Sequence, residues 1–125
     1  MPDASSAVGD DEIVLRHIPE IMVASDVVSS NFQLRPGEDY VSVSRQHITD
    51  ATALLKILKT TAGSRIAAAR VRDIRALGLK VEPYPSRRSA GHAGIEAGFA
   101  SLDDADVRIG LAALFSYLDA VSPEN

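Results

Sequence analysis

The sequence has no cysteine and no tryptophan, and aromatic residues of all kinds fill only 5% of its 125 positions. Without cysteine there are no disulfides, no thiolate ligands for zinc or iron–sulfur clusters, and no thiol nucleophile. So few aromatics leave little from which to build a surface that stacks bases or sugars. Charges interrupt every apolar run well short of the ~18 residues a membrane-spanning helix requires. Residues 1–10 carry neither a basic start nor an apolar stretch, so no secretory signal is expected there. The patterns GxGxxG, GxxxxGK[ST] and GxSxG are all missing, which removes the usual marks of dinucleotide folds, phosphate-cradling loops and nucleophile-elbow hydrolases.

What is present suffices for a folded protein. Hydrophobic residues make up 46% and charged residues 24%, enough apolar surface to offset the entropy of ordering the chain. Residues 1–11 are small and acidic and are expected to form a flexible lead-in to a single α+β domain over 12–122. Charge is segregated along the chain. Residues 1–40 hold eight acids and two bases, residues 41–92 hold ten bases and three acids, and residues 93–125 hold six acids and one base. The basic middle is expected to be neutralised by the acidic ends folding beside it, since the net charge is −4 and no aromatics interleave the arginines.

Periodicity predicts the elements. Glu12–Ile18 reads as a strand stopped by Pro19, with Glu20–Ala24 continuing extended. Val28, Ser30, Phe32 and Leu34 alternate like a strand, Arg35-Pro36-Gly37-Glu38-Asp39 reads as a turn, and Tyr40–Ser44 alternates again. Together Val27–Arg45 reads as a hairpin. Thr49 or Asp50 caps a helix over Ala51–Thr60 whose Leu54, Ile57 and Leu58 form an apolar stripe. Ile66–Ala69 reads equally as a strand or as the start of the helix marked by Val71, Ile74 and Leu77, which Gly78 ends. Strands follow at Leu79–Pro83 and His92–Phe99, the latter with Ala93, Ile95, Ala97 and Phe99 on one face and His92, Gly94 and Glu96 on the other. Asp103 or Asp104 caps a last helix to about Val121, where Val107, Leu111, Leu114, Leu118 and Val121 repeat every three or four residues. The predicted fold is α+β: a mostly antiparallel sheet of five or six strands with three helices, the C-terminal one long.

Few residues stand out chemically. The three histidines, His17, His47 and His92, lie on separate elements without metal-ligand spacing, so no metal is expected. His92 follows a Pro- and Arg-rich loop and shares its face with Glu96. Arg87 and Arg88, between Ser86 and Ser89, have the groups to receive a phosphate or carboxylate. Ser42 or Ser44 with His47 would supply a hydroxyl and a base, but no strained turn accompanies them.

Arg16 or His17 on a first strand, Ser42 or Ser44 on a later one and Glu96 on a late one follow the order basic–Ser–Glu. This order resembles ADP-ribosyltransferase-like folds. The resemblance implies that Arg16 or His17 holds NAD, Ser42 shapes the pocket, and Glu96 stabilises a developing ribosyl cation. A broader resemblance runs through Leu15-Arg16-His17-Ile18-Pro19, Ser29-Ser30-Asn31-Phe32, Val41-Ser42-Val43, Arg75-Ala76-Leu77-Gly78-Leu79-Lys80-Val81 and Gly91-His92-Ala93-Gly94-Ile95. In that order these segments, over residues 14–98, look like small bacterial proteins of genomic islands. Where that group has Pro-Ala-His-Ala, this chain has Ala90-Gly91-His92-Ala93. The resemblance implies a bacterial, cytoplasmic, single-domain protein and implies no activity.

The leading expectation is therefore an interaction module without catalysis or cofactor, binding another protein or a second copy of itself. Its surface would be the C-terminal helix, through Leu111, Leu114, Phe115 and Leu118. The alternative is an enzyme handling NAD or another nucleotide through Arg16, His17, Ser42 and Glu96. Nucleic-acid binding through Arg65, Arg70, Arg72, Arg75, Arg87 and Arg88 is disfavoured by the acidic total.

Overall fold

The computed structural model describes residues 4–58 and 63–119. Six strands form one antiparallel sheet: β1 (Ile13–Ile18), β2 (Tyr40–Arg45), β3 (Arg65–Arg70), β4 (Leu79–Pro83), β5 (His92–Ala97) and β6 (Ser116–Tyr117). Their order across the sheet is β4-β5-β2-β1-β3-β6. Among the described residues three helices, α1 (Ala51–Leu58), α2 (Val71–Ala76) and α3 (Ala105–Leu114), complete the α+β architecture that the pattern predicts, with α3 the longest of them. Asp50 caps α1 by accepting from Ala53 N–H at 2.9 Å, and Asp104 caps α3 by accepting from Asp106 N–H at 2.9 Å. Among the described residues no helix is long and apolar enough to cross a membrane.

Alternation along the strands gives the sheet two unequal faces. On one, Val14, Ile18, Val41, Val43, Val81, Ala93 and Ile95 join Phe32, Ile74, Leu111 and Phe115 in the main core. On the other, Leu15 and Ile66 pack with Leu54 and Leu55 of α1 in a small second cluster. Its buried members come from α1, β1 and β3, with Leu118 packed against them. The same face of β2 and β5 is left to polar and aromatic side chains.

The strands are also unequally joined. β1 pairs with β3 through all six of its residues, and β2 with β5 through five. Between β1 and β2 only Val14–Arg45 and Leu15–Ser44 are in register. Beyond Leu15 the two central strands part.

Residues 4–11, expected as a flexible lead-in, are built into the fold. Val8 lies in the core. Arg45, fully buried, donates to Glu12 through Nε (2.7 Å) and Nη2 (2.8 Å), and through Nη1 to the carbonyls of Ala4 (3.1 Å) and Ser6 (2.9 Å). Asp10 pairs with Arg75 at 2.6 Å and Asp11 with Arg72. Three consecutive acids thus neutralise three arginines of the basic middle, and among the described residues the ion pairs belong to this N-terminal block.

Four expectations are revised. Glu20–Met22 and Ser29–Phe32 are 3₁₀ turns, not extended pieces, so there is no 27–45 hairpin. Asn31 and Phe32 are both buried, one on Arg16 and the other on Phe115, which a strand's alternation would forbid. Residues 65–76 resolve into strand then helix. α3 stops at Leu114 because Phe115 turns extended, packs 4.9 Å from Phe32, and leads into pairing of Tyr117 and Ser116 with Ala67 and Ala68. β5 ends at Ala97, and Phe99 is fully exposed. The predicted ends of the first helix at Thr60 and of the domain at Ser122 lie outside the described residues.

Glu12 shows what holds the N-terminal segment. Burial acts to raise its pKa, but the Arg45 hydrogen bonds, the Gly9 N–H and the charges of Arg45 and His47 outweigh burial and hold it below the ordinary glutamate value. A lowered folded pKa stabilises the fold above the unfolded value, and that contribution is lost as pH falls through the folded one. Glu12→Gln leaves a buried guanidinium without its counter-charge and is expected to cost about 3 kcal/mol in urea unfolding at neutral pH. The gap to wild type closes on acidification through that window; a gap independent of pH would contradict the assignment.

Candidate functional site

The uncovered half of the second face forms one wall of an open cleft of about 880 Å³. β1 contributes Leu15, Arg16 and His17; β2 contributes Tyr40, Ser42 and Ser44; β5 contributes His92. α1 closes one side with Leu54, Ile57 and Leu58, and the turns around Arg35 and Arg88 form the rim. The volume falls in the range of small-ligand sites, about 300–1,000 Å³.

Arg16 sits where β1 and β2 part. Its Nη1 donates to the Ser42 carbonyl, Nε to Asn31 Oδ1 and Nη2 to the Asn31 carbonyl, each at 2.8 Å. Burial pulls its pKa down to about 10; Glu38 opposes that shift and Arg35 adds to it, and the group remains cationic at neutral pH. Beside it His17 has its pKa lowered by burial and by the Arg16 charge, so the imidazole is neutral at pH 7. Its Nε2 is buried with no hydrogen-bond partner among the described residues.

His92 carries the most defined geometry. Its Nδ1 lies 2.9 Å from the Tyr84 carbonyl, which can only accept, so Nδ1 bears the proton in the neutral ring. Nε2 is then an acceptor, and the Ser42 hydroxyl, 3.2 Å away, donates to it. Register explains the contact. Ser44 stands opposite His92 and Ser42 opposite Gly94, so Ser42 and His92 are diagonal neighbours on one face, and Gly94 puts no side chain between them.

Two tyrosines cover that glycine. The rings of Tyr40 and Tyr84 stack at 4.5 Å, and Tyr40 meets His92 edge-on at 5.9 Å. A Cβ on Gly94 would stand 2.5 Å from Tyr40 Cδ1 and 2.9 Å from Tyr84 Cε2. Tyr84 donates its hydroxyl to Glu96 Oε1 at 2.8 Å, and that bond, with burial and the nearby Glu96 and Glu82 charges, pushes its pKa up to about 12. Arg88 donates to the Ile57 carbonyl at 2.6 Å, capping the end of α1 and tying the 84–89 loop across the cleft. Arg35 begins the Pro36–Gly37 turn, closed by Glu38 N–H on the Arg35 carbonyl at 3.0 Å with Gly37 at φ +85°.

Of the residues singled out by sequence, Arg16, His17, Ser42, Arg88 and His92 line this cleft. Glu96 does not; it lies one pair further along β5, behind Tyr84. Arg87 is exposed outside it. His47 belongs to Glu12, at 3.3 Å, so the serine–histidine contact is made by His92 instead. Of the predicted partner face, Leu111 and Phe115 are buried in the main core, Leu114 packs against it, and Leu118 packs on the second cluster. Sequence reasoning missed Tyr40, Tyr84 and Asn31. The two tyrosines beside a strand glycine were the available signal. Among the described residues no cluster of three histidines, aspartates or glutamates could hold a metal ion. Compared with protein-family models, curated proteins and solved structures, the chain matches none.

Gly94→Ala is expected to force the tyrosine pair apart, costing about 1–3 kcal/mol. With no tryptophan or disulfide in the chain, near-ultraviolet circular dichroism reads mainly the tyrosines. An unchanged tyrosine signal in a fully stable variant would contradict the stack.

Proposed function

We propose that the chain binds a small anionic molecule carrying a planar ring, of the nucleotide class, in the cleft between β1, β2 and α1. The observation that carries this reading is the composition of that cleft. Arg16, Arg35 and Arg88 line it with one carboxylate, Glu38, and so does the Tyr40–Tyr84 pair. Guanidinium groups suit phosphate oxygens, and an aromatic surface suits a base. NAD belongs to this class, and Arg16, His17 and Ser42 line the cleft that would receive it. Glu96 would act on it only through Tyr84.

Isothermal titration with ADP tests the reading. ADP is expected to bind, and adenosine at least about tenfold more weakly, because charge-assisted hydrogen bonds to phosphate contribute about 1.5–3 kcal/mol. Arg35→Gln, at an exposed turn position, is expected to weaken ADP by a similar factor without altering the melting temperature. No heat at millimolar ADP would remove the reading.

A second reading retains an interaction module that binds another protein or a second copy. It is supported by Ile109, 57% exposed on α3, at a second hollow of about 540 Å³ between α3 and residues 25–29. On this reading native mass spectrometry shows a complex that Ile109→Asp abolishes. A monomeric wild type with no retained partner would set it aside.

A further inference from the structure

We propose that Ser42 is a nucleophile activated by His92, and that its reaction is phosphoryl transfer from a nucleoside phosphate held in the cleft. The substrate class rests on the nucleotide reading above; the activation of Ser42 does not. Three observations support it. First, the Tyr84 carbonyl fixes the His92 tautomer from the far side, so the ring presents a lone pair to the Ser42 hydroxyl at 3.2 Å. A nucleophile, a base, and a third group orienting the base is the arrangement that activates serine on unrelated folds. Second, Ser42 is exposed on the cleft wall, and Gly94 opposite puts no side chain between its hydroxyl and His92. Third, Arg16 donates to the main-chain carbonyl of Ser42 at 2.8 Å, which anchors a cation on the residue that carries the nucleophile. Such a charge stabilises the negative charge that accumulates on phosphoryl oxygens.

The step balances without a further reactant. Ser42 Oγ forms a bond to phosphorus as its proton passes to His92 Nε2. The bond from phosphorus to the leaving oxygen breaks, and that oxygen takes the proton from Nε2. Water then attacks the phosphoserine and gives a proton to the same nitrogen; the bond from phosphorus to Oγ breaks, Oγ takes that proton back from Nε2, and inorganic phosphate leaves.

A fluorophosphonate probe tests this directly, because it phosphonylates an activated serine with loss of fluoride and needs no nucleotide. The expected result is a single adduct by intact mass, mapped to Ser42 by peptide sequencing and absent in Ser42→Ala. His92→Gln is expected to slow labelling about 100-fold, the lower range of general-base catalysis. His92→Phe serves as a second variant, and thermal melts establish that each is folded. No adduct on wild type, an adduct spread over several serines, or a rate unchanged in both folded His92 variants would overturn the proposal. Labelling can fail while ADP binding stands, and ADP binding can fail while labelling stands, so the two readings fall separately.

Discussion

The site depends on one half-buried cation. Arg16 lies on a central strand at a position where alternation calls for an apolar side chain facing the core. Its guanidinium instead fills the opening between β1 and β2, replacing ladder hydrogen bonds that the parted strands cannot make to each other. A guanidinium drawn partly out of water needs acceptors in its place. Asn31 supplies two and Ser42 one, and the need for Asn31 explains why residues 29–32 coil into a turn instead of pairing as a strand. The cleft is the space that this wedge keeps open.

Charge elsewhere serves architecture. The three N-terminal acids lie over the sheet and take up Arg45, Arg72 and Arg75. Arg65 is held over the Tyr117 ring at 4.6 Å and on the Leu118 carbonyl. Much of the basic middle block is thereby committed within the molecule. The arginines at the cleft rim, Arg35 and Arg88, come from loops, where a side chain can meet a ligand without disturbing a ladder.

Legibility followed locality. The strand and helix positions, the Pro36–Gly37 turn and the caps at Asp50 and Asp104 depend on neighbouring residues, and sequence periodicity exposes them. The expected hairpin at 27–45 is absent because residues 29–32 coil into a turn, and β2 pairs with β1 and β5 instead. The last helix was overextended because Leu118 continues the spacing of Leu111 and Leu114 while packing on the opposite face of the sheet. The candidate site was half legible. Residue type alone nominated Arg16, His17, Ser42 and His92. Their convergence, and the exchange of His47 for His92 as the partner of Ser42, follow from register between strands about fifty residues apart in sequence, which no local pattern encodes.

The narrow β1–β2 pairing has a mechanical meaning. It divides the sheet into two three-stranded leaves, β4-β5-β2 and β1-β3-β6, joined by two residue pairs. Four of the five strand-to-strand connections cross that line, and only β4 to β5 stays within a leaf. The leaves are therefore weakly bonded along the seam yet repeatedly stitched across it by covalent chain. Tension applied across the sheet would part this seam before the β1–β3, β2–β5 or β4–β5 ladders, while the stitches would limit how far the leaves separate. The joint is elastic by construction, and the cleft lies along it.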